Sequence, residues 1–580
     1  MGSFEEEVSL PLLHPAKPLA FELVQHVAIF FEERLHTQGL NLLLSTLSSH
    51  PDASTPIFVP SPQHLALAAT FLVHPSTSAR PKTIEEAEAP IVSLRLLRLV
   101  TSLVGPGAAQ LTTAFHFTHF ERSRHGGRRH NDDAHSSTNK VTANGERKQL
   151  NLDRDIDIDL AHSSSVWSRA EDFWHAVGWA FNCAVLHPAR WERWRVWVEF
   201  MCEVLEDDWR ERLRKQEKEQ DPAKGAQILQ ESLIFQYITD STHGFGRHRR
   251  ILRAIFADGS ITAVNEFREV FHKELKLSRK KEAEDKENSK REEAVNIDAE
   301  QYGDFYSTDR EDDDFSSGRE TKRPRKSARA GRGAATRTSK RIAAATTTPT
   351  PKSIPDPGVA LDMAAASTLL GDMTSLALRQ RLLHILSTVS QSAPKHFMEL
   401  HDLYHLFVEN IRPLPIPIYQ SFISPSALPY FSGSARTTLC ECLLLRMREH
   451  VAPPTEELYL NQAKLETCFL PFAASTSSLS DNVKVSITLE ALIVLLAESH
   501  MLHVTDEMKY LVKKGIIKRA EKAQFETRKN QLARLSENLE WCWLGESAER
   551  LTFLVEEVVP LTCDNGGDDG AVGSSQAGPS

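Results

Sequence analysis

The chain predicts an all-α protein, built as irregular helical-hairpin solenoid or multi-helix bundles in two modules that a long disordered charged linker separates. Three observations carry this. Apolar residues recur at three- and four-residue intervals on both sides of residues 278–357. Strand-like alternation is scarce, with Val483-Lys484-Val485-Ser486-Ile487 the best case. Between Glu292 and Arg341 two opposite charge blocks stand back to back with few large apolar residues, too few to offset the entropy of ordering. No repeat period in the range of about 30 to 47 residues is present, so a HEAT-like likeness is one of shape alone.

Residues 19–47 keep an apolar face through Phe21, Val24, Val27, Phe30, Leu40, Leu43 and Leu44, interrupted at Gly39, and read as one long helix or two consecutive ones. Pro60-Ser61-Pro62 opens the next helix, because proline in a first turn forfeits no hydrogen bond. A third helix is predicted over 90–104, stopped by Gly105-Pro106-Gly107, and a fourth over 108–120. Residues 121–165 are rich in His, Asp and Ser and read as a polar insertion loop. Residues 167–209 then hold seven of the nine tryptophans. Their spacing predicts a helical hairpin turning at Leu186-His187-Pro188, with the indoles in the core and not arranged as an aromatic cage or base-stacking platform. Arg190, Arg193 and Arg195 leave a phosphate-facing edge as the lesser alternative. Shorter helices follow near 228–238, 248–256 and 261–277.

Beyond the linker, helices are predicted over 359–389, 435–451, 486–500 and 521–539, with an extended bend forced by Pro413, Pro415 and Pro417. The expected organisation is therefore an N-terminal helical segment (1–120), a polar insertion (121–165), a Trp-rich segment of the same module (166–277), the linker (278–357), a C-terminal helical module (358–560) and a disordered tail (561–580).

Composition narrows the setting. A chain of 580 residues with 41% hydrophobic residues can build a large core, and a net charge of −10 is modest for that size. The seven scattered cysteines lack disulfide or zinc spacing, which fits a reducing compartment. Cys440 and Cys442, two apart on a predicted helix, point to different faces and read as core thiols. An acidic N-terminus and the lack of a long apolar run predict a soluble intracellular protein without a membrane span.

The linker carries most of the candidate sites. From Glu292 to Asp314 ten acids face Arg310 alone, and from Arg319 to Arg341 ten bases face Glu320 alone, so net charge swings from −9 to +9. Lys322, Arg323, Pro324, Arg325 and Lys326 form a compact basic run of the kind that fits the acidic groove of a nuclear import receptor. Arg329, Arg332, Arg337, Lys340 and Arg341 are candidate DNA contacts, weak and non-specific, with the acidic block competing for the same cations. Ser307 and Thr308, beside Asp309 and Glu311, suit an acid-directed kinase. Ile156, Ile158 and Leu160 alternate with acids as in strands that bind SUMO-type modifiers, although an edge strand or a return into the core is the preferred reading. The histidines from His116 to His135 read as a polar insertion and not a metal site.

No phosphate loop, metalloprotease helix, nucleophile elbow or kinase set occurs, and no metal or cofactor is expected. The expectation is a nuclear, non-enzymatic scaffold or adaptor working with protein subunits in a chromatin or genome-maintenance complex. A nucleolar ribosome-assembly factor, an enzyme of unrecognised type and a direct DNA binder are the alternatives.

Overall fold

The computed structural model describes residues 13–49, 55–118, 156–240, 246–276 and 369–559, apart from breaks at 426, 428–429, 455–459 and 526–530. Helices dominate on both sides of the linker region, and the strands among these residues are two three-residue segments, β1 (Ala16–Pro18) and β2 (Ile57–Val59), paired in parallel.

The first apolar stretch forms two helices, α1 (Phe21–Glu32) and α2 (His36–Ser48). The break falls at Arg34, which takes a positive φ of 62°, and not at Gly39. Gly39 lies inside α2, where a Cβ would stand 3.2 Å from the Phe31 ring. Helix α3 (Pro62–Val73) starts where Pro60-Ser61-Pro62 places it, and the one-turn α4 (Pro75–Ser78) follows. Helix α5 (Ile84–Val104) begins six residues before the expected Pro90. Its start is set by Thr83, whose hydroxyl accepts the Glu86 N–H at 3.2 Å, so Pro90 sits in the helix interior. The expected fourth helix shrinks to one turn, α6 (Leu111–Ala114).

Two histidines cap helix starts through Nδ1. His64 accepts the Ser61 N–H at 3.2 Å, and His74 accepts the Ser76 N–H at 3.2 Å. Burial pushes His64 from 6.5 down to about 4, and burial with the nearby Arg190 charge does the same at His74. The unfolded chain takes up these protons at higher pH than the folded one. Their contribution is therefore intact above about pH 6.5 and is lost as pH falls towards 4, with roughly 3 kcal/mol at stake at His64. Urea midpoints measured across this window should fall with acidification, and His64→Gln, an acceptor that does not titrate, should flatten the profile. A wild-type midpoint that stays level from pH 7 to 4 refutes the assignment.

The tryptophan hairpin forms as its spacing predicts. After α7 (Val166–Arg169), helix α8 (Phe173–Leu186) turns at His187 into the 31-residue α9 (Pro188–Lys218). All seven indoles are buried. Trp167 donates to the Ala66 carbonyl at 2.9 Å and Trp174 to that of Tyr237 at 2.9 Å, so the rings are core and not a stacking platform. Gly178 lets the Phe267 ring lie against α8, where a Cβ would come within 2.3 Å of it. Helices α10 (Pro222–Gln230), α11 (Leu233–Thr239), α12 (Arg247–Ile255) and α13 (Ile261–Glu266) complete this side, and α9 packs on α3, α8, α10 and α11.

The C-terminal helices are α14 (Met373–Ser392), α15 (Leu400–Ile411), α16 (Ile416–Ile423), α17 (Gly433–Met447), α18 (Gln462–Cys468), α19 (Leu479–Glu498), α20 (Asp506–Ala523) and α21 (Gln531–Phe553). Two expectations are corrected here, and the strand-like alternation falls within a helix. Val483–Ile487 is not a strand but part of α19, which α16, α17, α20 and α21 all contact. Lys484 and Ser486 are as buried as their apolar neighbours, so the alternation never separated two faces. The predicted helix over 521–539 is the end of α20 and the start of α21. Pro417 stands in the first turn of α16, which confines the extended bend to the residues before it.

The modules on either side of the linker belong to one compact unit, residues Met1–Ser278 with Pro357–Ser580. Helix α14 packs against α9, and Arg381 grips Glu206 with two bonds of 2.6 and 2.8 Å.

Candidate docking groove and basic cleft

Helix α20 is amphipathic in a way that leaves its outer face unused. Met508, Val512, Gly515, Arg519 and Ala523 form its buried stripe, at the three- and four-residue steps of one helix face. Gly515 is required there, because a Cβ would lie 1.8 Å from the Leu470 carbonyl oxygen. Arg519 donates to the Leu470 and Phe472 carbonyls at 3.3 Å each, which fixes the helix in rotation. On the far side Tyr510 and Ile517 are exposed, and so is Phe553 at the end of α21. Glu490 of α19 holds α21 by accepting from Ser547 and, at 2.9 Å, from Arg550. Burial raises the Glu490 carboxyl above the usual range while those two donors oppose the rise.

Between α20 and α21 lies an open groove of about 470 Å³ lined by Ile516, Ala548, Thr552, Phe553 and the carboxylates of Glu549, Glu556 and Glu557. Lys513 pairs with Glu556 at 2.8 Å, and that hydrogen bond holds the Glu556 carboxyl below its ordinary value. Glu549 and Glu557 have no ion pair among the described residues. An apolar floor with an acidic rim suits an amphipathic segment that carries basic residues beside its apolar face.

A second concavity, about 570 Å³, opens between α15, α17 and α19. Arg412 pairs with Asp481 at 3.1 Å, and Lys484 donates to the Arg412 carbonyl at 2.7 Å. Burial pushes the Lys484 amine below its ordinary value. Arg446 lines the same cleft exposed and without a hydrogen bond or ion pair among the described residues. Arg412, Asp481 and Lys484 are committed to fixing the walls.

The sites expected from the sequence fall in two groups. Lys322–Lys326, Arg329, Arg332, Arg337, Lys340, Arg341, Ser307 and Thr308 lie outside the described residues, as do most of the histidine-rich run and the whole linker. The Ile156, Ile158 and Leu160 pattern is described, and it is not an exposed strand. Ile156 is in the core, Ile158 and Leu160 pack against it, and Asp159–Ala161 forms a 3-10 turn. Cys440 is buried and Cys442 half-buried, and burial raises both thiols, to about 12 and about 11. The α20–α21 groove was missed because the expected helix ran across the break between its two walls. The Gly515 notch and the repeated glutamates at 549, 556 and 557 were the available signals.

Fold and surfaces together define an all-helical protein of two modules with candidate docking surfaces on the second. No helix among the described residues is long and apolar enough to cross a membrane. No family model matches the chain, and a search of curated proteins returns no match.

Proposed function

We propose that the chain is a non-enzymatic helical scaffold, an adaptor subunit of a nuclear complex that works on chromatin or genome maintenance, in transcriptional regulation or DNA repair. The α20–α21 groove carries this reading: outward aromatic and aliphatic groups and unpaired glutamates stand on a helix pair whose inner face is locked. Such a surface takes a basic amphipathic segment of a partner subunit. Support comes also from the buried ionic groups. Asp172, Glu274, Arg379 and Arg519 are bound to backbone and side-chain partners that tie helices together. The Lys322–Lys326 cluster supplies the address for an import receptor, and the remaining basic residues up to Arg341 supply weak, salt-sensitive DNA contact.

Proximity labelling with the tagged full chain tests the reading. Replacing Lys322, Arg323, Arg325 and Lys326 by Ala should abolish nuclear accumulation. Phe553→Glu should leave the protein nuclear and folded, since that groove-lining position is exposed, but remove chromatin subunits from the labelled set. Recovery of pre-ribosomal proteins in their place selects the nucleolar assembly reading. A wild-type protein that stays cytoplasmic whatever stands at those four positions overturns nuclear action.

A further inference from the structure

Helix α15 carries a second pattern on its outer face. Leu403, Tyr404, Phe407, Val408 and Ile411 anchor it to the core, so its rotation is fixed. That anchoring sets His401, His405 and Glu409 in one exposed row at successive four-residue steps. The two imidazoles converge, with Nε2 of His401 and Nε2 of His405 3.2 Å apart and the rings nearly perpendicular at 88°.

Two nitrogens bound to one tetrahedral zinc at about 2.0–2.1 Å stand roughly 3.3 Å apart, which is the separation already present. The ring centroids, 4.2 Å apart, are closer than the roughly 5 Å that shared coordination requires, so the rings must tilt outward about their Nε2 ends. Both are exposed and free to do so. Glu409, one turn further, lines the basic cleft together with His405. Its present partner is Arg249 at 3.4 Å, in a pair exposed at both ends, and such pairs contribute little. Among the described residues no group of three or more His, Cys, Asp or Glu side chains is already gathered for a metal. The pair is thus a two-nitrogen chelate whose third donor must swing in.

We propose that His401 and His405 bind a divalent first-row cation, zinc in the first instance, with Glu409 as third donor and water completing the shell. The donor set of two imidazoles and a carboxylate suits zinc, and copper should bind more tightly by the Irving–Williams order.

Equilibrium dialysis of the full chain against zinc alone tests this. The wild type should take up one equivalent that the His401→Ala/His405→Ala protein lacks, and each single substitution should weaken that equivalent by at least about tenfold. Glu409→Gln should weaken it severalfold. Arg249→Ala, which frees Glu409, should tighten it, an effect that a purely structural histidine pair would not show. Thermal midpoints without zinc should be equal across the set, since all four positions are exposed. Uptake that is equal in the wild type and the double variant would place the metal away from α15 and overturn the proposal. So would no uptake at tens of micromolar zinc, the result expected if the two rings only share a hydrogen bond.

Discussion

Replacing Glu274 by Gln should lower the stability of the whole unit by about 3–5 kcal/mol, the range for breaking one side of a buried ion pair. The Glu274 side chain is fully buried and accepts from five donors. Arg190 Nε and Nη2 approach at 2.8 and 2.5 Å, the Trp194 and Trp179 indoles at 2.7 and 3.0 Å, and the Phe271 N–H at 3.2 Å. Arg190 reaches further, to the Val73 carbonyl at 2.6 Å and Ser78 Oγ at 2.8 Å. One carboxylate and one guanidinium thereby fix α8, α9, the end of α3 and the turn before residue 276. An amide at 274 keeps the shape but leaves the Arg190 cation uncompensated, and its NH2 faces donors where acceptor oxygens stood. Urea unfolding of Glu274→Gln, Arg190→Met and the double variant checks this. The double variant should lose less than the sum of the singles, because neither charge is then stranded. A loss below about 1 kcal/mol in Glu274→Gln would mean that water reaches the site.

That node also shows where sequence reading stops. The tryptophan hairpin was legible because its apolar groups step by three and four and the turn is marked by Pro188. Pro60-Ser61-Pro62 was legible because proline and serine favour a helix start for local reasons. Nothing local marks Glu274 and Arg190 as buried, by contrast, since the pair joins residues 84 apart in sequence. Helix α19 shows strand-like alternation over Val483–Ile487 because it is enclosed by four other helices and lost the polar face on which periodicity depends. The groove between α20 and α21 required knowing that α20 ends at Ala523, where no glycine or proline marks the end. At α15 the spacing of His401, His405 and Glu409 was readable, but the rotation that turns all three outward comes from Tyr404, Phe407 and Ile411 meeting their neighbours.

Replacing Arg379 by Met should weaken the joint between the two modules more than it weakens either one. Arg379 lies on α14, fully buried, and no carboxylate is among its hydrogen-bond partners. It donates to the Ile255 and Ala257 carbonyls at the end of α12, at 2.5 and 2.9 Å, and to the Leu370 carbonyl at 3.2 Å. Its guanidinium stands 4.1 Å from the Phe181 ring centre. Burial lowers its pKa only to about 9, so it remains charged at neutral pH. Methionine fills much of the volume and removes the buried charge, yet it leaves the Ile255 and Ala257 carbonyls without this donor. Leu370 still accepts from Ser375 at 2.7 Å. Two unsatisfied carbonyls at about 1–3 kcal/mol each give an expected loss of roughly 2–6 kcal/mol. Arg381→Ala removes the partly exposed Arg381–Glu206 pair from the same joint and should cost less. The informative measurement uses a specific protease site placed within residues 279–356. After cleavage the wild-type halves should elute together, because α14 is held to α9 and α12 by packing and by these bonds and not by the covalent connection. The cleaved Arg379→Met protein should separate or unfold in two steps, whereas cleaved wild type that falls apart at once would place the burden of the joint on the connecting chain.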